Sequence, residues 1–204
     1  MYTEVLGREA KKSLAVLDKT DLLDNFYLAG GTGLALHYGH RISVDLDFFT
    51  QKIFEPRELA TLLSAKGDFI QNGWEKGTLH GIFEGAKVSF LYYPYRLLRD
   101  LKKVGNVSIA DPLDIGCMKV DAITSRGKKK DFVDLYVLLE HYHLSELVNF
   151  FEEKYADVQY NMIHIMKSLV YFDNAEEDPD VVYLGKKILW SEIKRRIENE
   201  VRKM

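Results

Sequence analysis

Cysteine is nearly missing from this chain of 204 residues. Cys117 stands alone, so no internal disulfide can form, and no Cys/His spacing resembles a zinc site. Nor does any apolar run approach the roughly 18 residues of a membrane span, and the opening MYTEVLGREAKK is polar; the expectation is a soluble, cytoplasmic protein with no membrane partner. A basic surplus is absent too: the net charge is −3, so any contact with nucleic acid must come from a local patch rather than a global field. Internal repeats and low-complexity tracts are likewise lacking. What is present is a hydrophobic content of 47%, enough to bury one ordinary core or a compact domain with a helical appendage.

The pattern divides near residue 110. Before it, residues 4–19 suit a surface helix and FYLA (26–29) a short buried strand. Thr32 is a candidate N-cap for a short helix that ends at Gly39. Residues 42–49 alternate, so one strand carries Ser43, Asp45 and Asp47 on a polar face and Ile42, Val44, Leu46 and Phe48 on a buried one. Pro56 opens a helix that Gly67 stops, and residues 68–93 read as an antiparallel meander punctuated by glycines. Beyond Pro94 helices dominate. Asp111-Pro112-Leu113-Asp114 starts one that runs to about Arg126, a second begins at Asp131, two more occupy 145–156 and 158–172, DNAEEDPD is a polar linker, and 182–203 is a long charged helix. The expected fold is therefore α/β (α+β): residues 1–110 form a sheet domain, and a helical region, 111–204, completes a cleft beside it.

Two carboxylates at i and i+2 of one strand face lie about 6 to 7 Å apart along the backbone and repel one another unless a cation sits between them. Asp45 and Asp47 suit Mg²⁺ (or Mn²⁺), which takes one or two carboxylates together with phosphate oxygens and water. Upstream, Gly30 and Gly31 allow a phosphate to approach the backbone, and the helix opening at Thr32 presents free amides and a positive dipole end to it. Triphosphate and metal are what this pairing accommodates.

Ala29-Gly30-Gly31, thirteen further residues, then Asp45-Leu46-Asp47-Phe48 resembles the nucleotidyltransferase superfamily signature. GGTGLALHYGHRISVDLDFF, with KVSFLYYPY and the stretch Asp114–Leu139, is similar to the AbiEii-type abortive-infection toxins, and the likeness spans roughly residues 26–140. The resemblance implies a nucleotidyltransferase fold and transfer of a nucleoside monophosphate from a nucleoside triphosphate to a hydroxyl acceptor, tRNA or protein, with pyrophosphate leaving. It implies that Asp45 and Asp47 hold the metal, that Gly30, Gly31 and Thr32 bind the triphosphate, that Lys119, Asp131 and Asp134 complete the site, and that a cognate antitoxin accompanies the protein. One departure stands out. Where many such enzymes place a third carboxylate, on the strand 87–92, this chain has Ser89, with Glu84 out of phase; either Asp131 or Asp134 substitutes, or catalysis is slow or lost. A nucleotide-, RNA- or partner-binding module without catalysis is the competing expectation.

Further residues qualify by position. Lys119 and Arg126 are seven apart and share a helix face, followed by the basic run 128–130, which can meet phosphate but is ordinarily a solvated loop. Arg41 and Ser43 flank the acidic strand and can reach a phosphate or a metal-bound water. His37 and His40 sit at a helix end, Tyr92, Tyr93 and Tyr95 can stack a base or fill a core, and His141, His143 and Cys117 read as structural. A haloacid-dehalogenase reading fails because Phe48 and Phe49 follow the acids, and a glycosyltransferase reading does not account for the glycine pair.

Overall fold

A computed structural model describes residues 1–204. A 3₁₀ turn and helix α1 (Arg8–Leu17) lead into β1 (Tyr27–Leu28), α2 (Gly30–Tyr38), β2 (Leu46–Thr50) and α3 (Pro56–Lys66). The meander follows as β3 (Phe69–Glu75), β4 (Thr78–Phe83) and β5 (Ala86–Tyr92), then a hairpin of β6 (Lys102–Val104) and β7 (Val107–Ile109). The helical half comprises α4 (Pro112–Ser125), α5 (Lys129–Leu138), α6 (Leu144–Lys154), α7 (Met162–Leu169), the single turn α8 (Asp173–Glu176) and α9 (Trp190–Val201).

All seven strands share one sheet in the order β3-β4-β5-β2-β1-β7-β6. β2 runs parallel to β5 and antiparallel to β1, while β1 runs parallel to β7. The mixed sheet with flanking helices is the expected architecture. Each face of it meets a separate core. Val5, Leu17, Leu46, Phe48, Leu63, Phe83 and Phe90 join α1 and α3 to one face. On the other, Tyr27 and Ala29 meet Ile115, Val120, Phe132, Leu135, Leu147 and Ile193 of the helical half. Each fully buried Leu or Phe in these cores contributes about 1.5 to 3 kcal/mol. β2 therefore sends Leu46 and Phe48 into one core and turns Asp47 and Phe49 toward the helices.

Several sequence expectations shift. The acidic strand is shorter than 42–49: only Leu46–Thr50 is regular, Val44 is 58% exposed, and Ser43 is buried. The preceding stretch instead borrows partners, since Ile42 N–H donates to the Val182 carbonyl at 2.7 Å and Leu184 N–H to that of His40 at 3.2 Å. That pairing holds residues 182–184 extended, so the last helix starts at Trp190 rather than at 182. The sheet continues past Pro94 through the β6–β7 hairpin, in a stretch for which no strand was expected. α5 starts at Lys129, two residues before Asp131, and the polar linker contains α8. Asp111 does cap α4, accepting from Leu113 N–H at 2.9 Å with Pro112 behind it.

Candidate active site

The N-terminus of α2 and the start of β2 meet because Ala29 N–H donates to the Asp47 carbonyl at 3.1 Å. Ala29, not Thr32, caps α2, so the first free amides belong to Gly30, Gly31 and Thr32. Gly30 has φ of +61°, a left-handed conformation that favours glycine, and a Cβ there would stand 3.2 Å from Asp47 Oδ2. A Cβ on Gly31 would collide with the guanidinium of Arg41, so that glycine makes room for a neighbour as much as for a phosphate. The Thr32 hydroxyl is spent inside the loop: it donates to the Asp45 carbonyl and is hydrogen-bonded to Ser43 Oγ at 2.7 Å. Thr32 and Ser43 thus brace the chain that carries the acids.

Behind this wall lies a buried charge network. Asp134 accepts from Arg41 Nε at 2.7 Å and Nη2 at 2.8 Å, from His40 Nε2 at 2.8 Å, and pairs with Lys119 Nζ at 2.6 Å. Asp131 takes Lys119 Nζ at 2.9 Å and Arg126 Nε at 2.9 Å. Both carboxylates are fully buried. Burial alone would raise the Asp134 pKa, but Arg41 and Lys119 hold it well below the usual carboxylate range; Asp131 is lowered in the same way by Lys119 and Arg126. Lys119 in turn keeps its proton against burial because of these two acids, and its pKa is raised. Every oxygen of Asp131 and Asp134 is therefore already engaged, and neither stands in for a third carboxylate beside Asp45 and Asp47. Their effect on the cleft passes through Lys119, Arg41 and Arg126.

In front of the wall is a cleft of about 400 Å³. Gly30, Gly31, Asp45, Asp47 and Lys130 line it together with Phe49, Leu91, Tyr93, Met118 and Ala122, and Lys119 and Arg126 reach it from the helical half. Lys130 Nζ stands 3.7 Å from Asp45 Oδ2, a cation already placed against the acidic pair. Burial, with Asp45 adding to it, pushes the Asp47 carboxyl up from its ordinary pKa despite Ser89, Lys119 and Lys130. Such a raised carboxyl beside a second acid is the electrostatic condition that a divalent cation relieves, and two hard oxygen donors match what Mg²⁺ takes from protein when phosphates and water supply the rest. No group of three or more His, Cys, Asp or Glu side chains is arranged to hold a metal, so the chain offers these two carboxylates.

Five cleft residues escaped the sequence reading: His80, Leu91, Met118, Asp121 and Ala122. Alternation in TLHGIF places His80 on the face opposite buried Leu79 and Phe83, yet only strand order shows that this is the face of Asp47. Burial raises the Asp121 pKa, with Arg126 opposing. The Tyr93 hydroxyl is hydrogen-bonded to Tyr155, and its ring packs edge-on against Phe49. The remaining candidates lie elsewhere. His37 Nε2 bonds the Ala110 carbonyl at 2.9 Å, His141 stacks on Tyr38, His143 caps α6, Cys117 is buried, and Glu84 pairs with Lys12 in the β4–β5 turn.

A glycine-opened helix and an Asp-x-Asp strand converging on a cleft between a mixed sheet and a helical half define a nucleotidyltransferase. MenT4, nucleotidyltransferase toxin Rv2826c from Mycobacterium tuberculosis H37Rv, superposes with a TM-score of 0.61 at 14% identity, covering 95% of this chain and 82% of that one. JHP933 from Helicobacter pylori gives a TM-score of 0.50 at 18% identity over 97% of this chain and 94% of that chain. Residues 13–98 match the family described as nucleotidyl transferase AbiEii toxin, Type IV TA system. An uncharacterized protein of Aquifex aeolicus (strain VF5), aq_aa25, is 36% identical over 203 residues, 97% of this chain and 96% of the relative. The chain belongs to the AbiEii nucleotidyltransferase family. No helix is long and apolar enough to cross a membrane.

Proposed function

We propose that the protein transfers a nucleoside monophosphate from a nucleoside triphosphate to a hydroxyl acceptor, an RNA end or a protein side chain. The observation that carries this reading is the convergence of the free α2 amides with Asp45 and Asp47 in a single cleft. The triphosphate lies against the Gly30–Thr32 amides, and the ammonium of Lys130 together with Arg126 and Lys119 faces its negative charge. The base extends toward Phe49 and Tyr93, whose aromatic rings suit stacking, with the aliphatic Leu91 beside them. The acceptor oxygen attacks the α-phosphorus, the bond to the β-phosphate oxygen breaks, and pyrophosphate leaves. Asp45 and Asp47 would hold Mg²⁺ or Mn²⁺, which when bound supplies charge stabilisation at the transferring phosphoryl group. Family membership supports a cognate antitoxin as partner and a cytoplasmic site of action for a toxin-like activity.

Ser89 favours one alternative. It occupies the β5 position directly opposite Asp47, where a third carboxylate would fall, so a chain that binds triphosphate without transfer is the second reading. Incubation with each α-labelled triphosphate, Mg²⁺, total RNA and total cell protein separates the two. The proposal expects label on RNA or protein, lost in Asp45→Ala. Magnesium-dependent triphosphate binding with no labelled product under any condition refutes transfer and leaves the binding module.

A further inference from the structure

The strand register places a short row of side chains across the open part of the sheet. Asp47 of β2 pairs with Ser89 of β5, Ser89 with His80 of β4, and His80 with Gly73 of β3. Directly paired residues share a face, so Asp47, Ser89 and His80 stand side by side above the same surface, and all three line the cleft. His80 and Asp47 are two interstrand spacings apart, about 10 Å between backbones. The short Ser89 side chain between them leaves a gap above the sheet.

The surroundings of His80 keep it accessible. β3, β4 and β5 bury Phe83, Leu79 and Phe90 against α3 on the far face. On the near face Ser89 and Leu91 are only half-buried and His80 is exposed. Nothing lies within 4 Å of where a Cβ on Gly73 would be, so the far side of the imidazole is open space. The register shift between Gln71 and Gly73 falls next to it, a bulge of the kind that re-aims side chains beside sites. His80 makes no hydrogen bond or salt bridge to any protein group, whereas His37, His40 and His143 are each engaged. An unengaged imidazole lining the cleft of the acidic pair is suited to a proton transfer. Asp131 and Asp134 are locked in ion pairs, and the Ser89 hydroxyl keeps its own proton at neutral pH and is too weak a base to take another.

We infer that His80 is the general base of the transfer reaction, standing in for the carboxylate that Ser89 replaces. The inference rests on the transferase reading above. The acceptor enters across the bare β3–β5 face and seats its hydroxyl over Ser89. The lone-pair nitrogen of His80 takes the hydroxyl proton as the oxygen–phosphorus bond forms, the bond to the β-phosphate oxygen breaks with its electron pair, and pyrophosphate departs. The protonated imidazole then returns its proton to solvent through the open side at Gly73. General bases of this kind are worth about 10² to 10⁴ in rate.

The test compares wild type, His80→Ala, His80→Gln and Asp47→Asn in the labelled-transfer assay, with magnesium-dependent triphosphate binding measured in parallel. His80→Ala is expected to bind magnesium and triphosphate as wild type does, to transfer at least about 10²-fold more slowly, and to regain rate when free imidazole is added; His80→Gln stays slow and is not rescued. Because His80 is exposed, these variants fold. His80→Ala transferring at the wild-type rate, or showing no response to imidazole, overturns the assignment while leaving the transferase reading intact. A wild-type chain that binds magnesium and triphosphate yet transfers nothing overturns both.

Discussion

Asp134→Ala tests the charge network behind the cleft most directly. Asp134 is fully buried and neutralises Arg41 through two hydrogen bonds and Lys119 through a 2.6 Å ion pair, with those two side chains only 5% and 4% exposed. Its loss leaves two buried cations facing Asp131 alone. Breaking a buried pair by removing one partner costs about 3 to 5 kcal/mol. In a domain of this size each kcal/mol moves the melting temperature by about 2 to 4 °C, so a fall of about 6 to 20 °C is expected. Differential scanning calorimetry at pH 7 reads it. A second variant separates charge from packing: adding Lys119→Met to Asp134→Leu removes one orphaned cation and recovers part of the loss. The pH dependence carries a sign. Because the native pKa of Asp134 is depressed, its contribution is present above the ordinary carboxylate pKa and is lost as pH falls through the native value, so the wild-type advantage over Asp134→Ala narrows in acid. A melting temperature within 2 °C of wild type at pH 7 would refute the view that this network is structural.

Asp47→Asn has the opposite effect on the metal-free protein. A carboxyl whose native pKa is raised destabilises the fold once it is charged, so the amide is expected to stabilise by about 1 kcal/mol at pH 8, with the gain vanishing below the ordinary carboxylate pKa, while magnesium-dependent triphosphate binding is lost. Thermal melts in EDTA at pH 8 and pH 4 check both limbs, and equal melting temperatures at pH 8 count against it. Gly30→Ala forces a Cβ into a left-handed conformation 3.2 Å from Asp47 Oδ2, at a backbone cost of about 1 to 2 kcal/mol. Its melting temperature should drop, and calorimetric titration with magnesium and triphosphate should show weakened binding.

The elements announced by local chemistry were readable in the sequence. Pro56 and the Asp111-Pro112 pair start helices because proline loses nothing at a first helical turn, and glycines cut the meander where strands must reverse. β6 and β7 were not readable: at three residues each they are too short to display alternation, and β7 earns its place by pairing with β1, some eighty residues earlier in the chain. The run 182–189 looked helical, and backbone pairing with residues 40–42 overrode its propensity. The acidic pair and glycines of the cleft were visible from spacing alone. Burial of Asp131 and Asp134 was not, because carboxylates lie inside only when cations distant in sequence meet them, as Arg41 and Lys119 do. His80 needed the register between strands, which a single chain of letters does not carry.

The stitch between residues 182–184 and 40–42 binds the far end of the polypeptide to the ribbon just ahead of the two acids. Severing the chain anywhere before residue 182 would strip residues 40–42 of that pairing and leave the Leu6–Ser43 bridge and the Asp134 bonds to Arg41 to hold the ribbon alone, so damage to the tail would be felt at Asp45 and Asp47 as well as at the end that was cut.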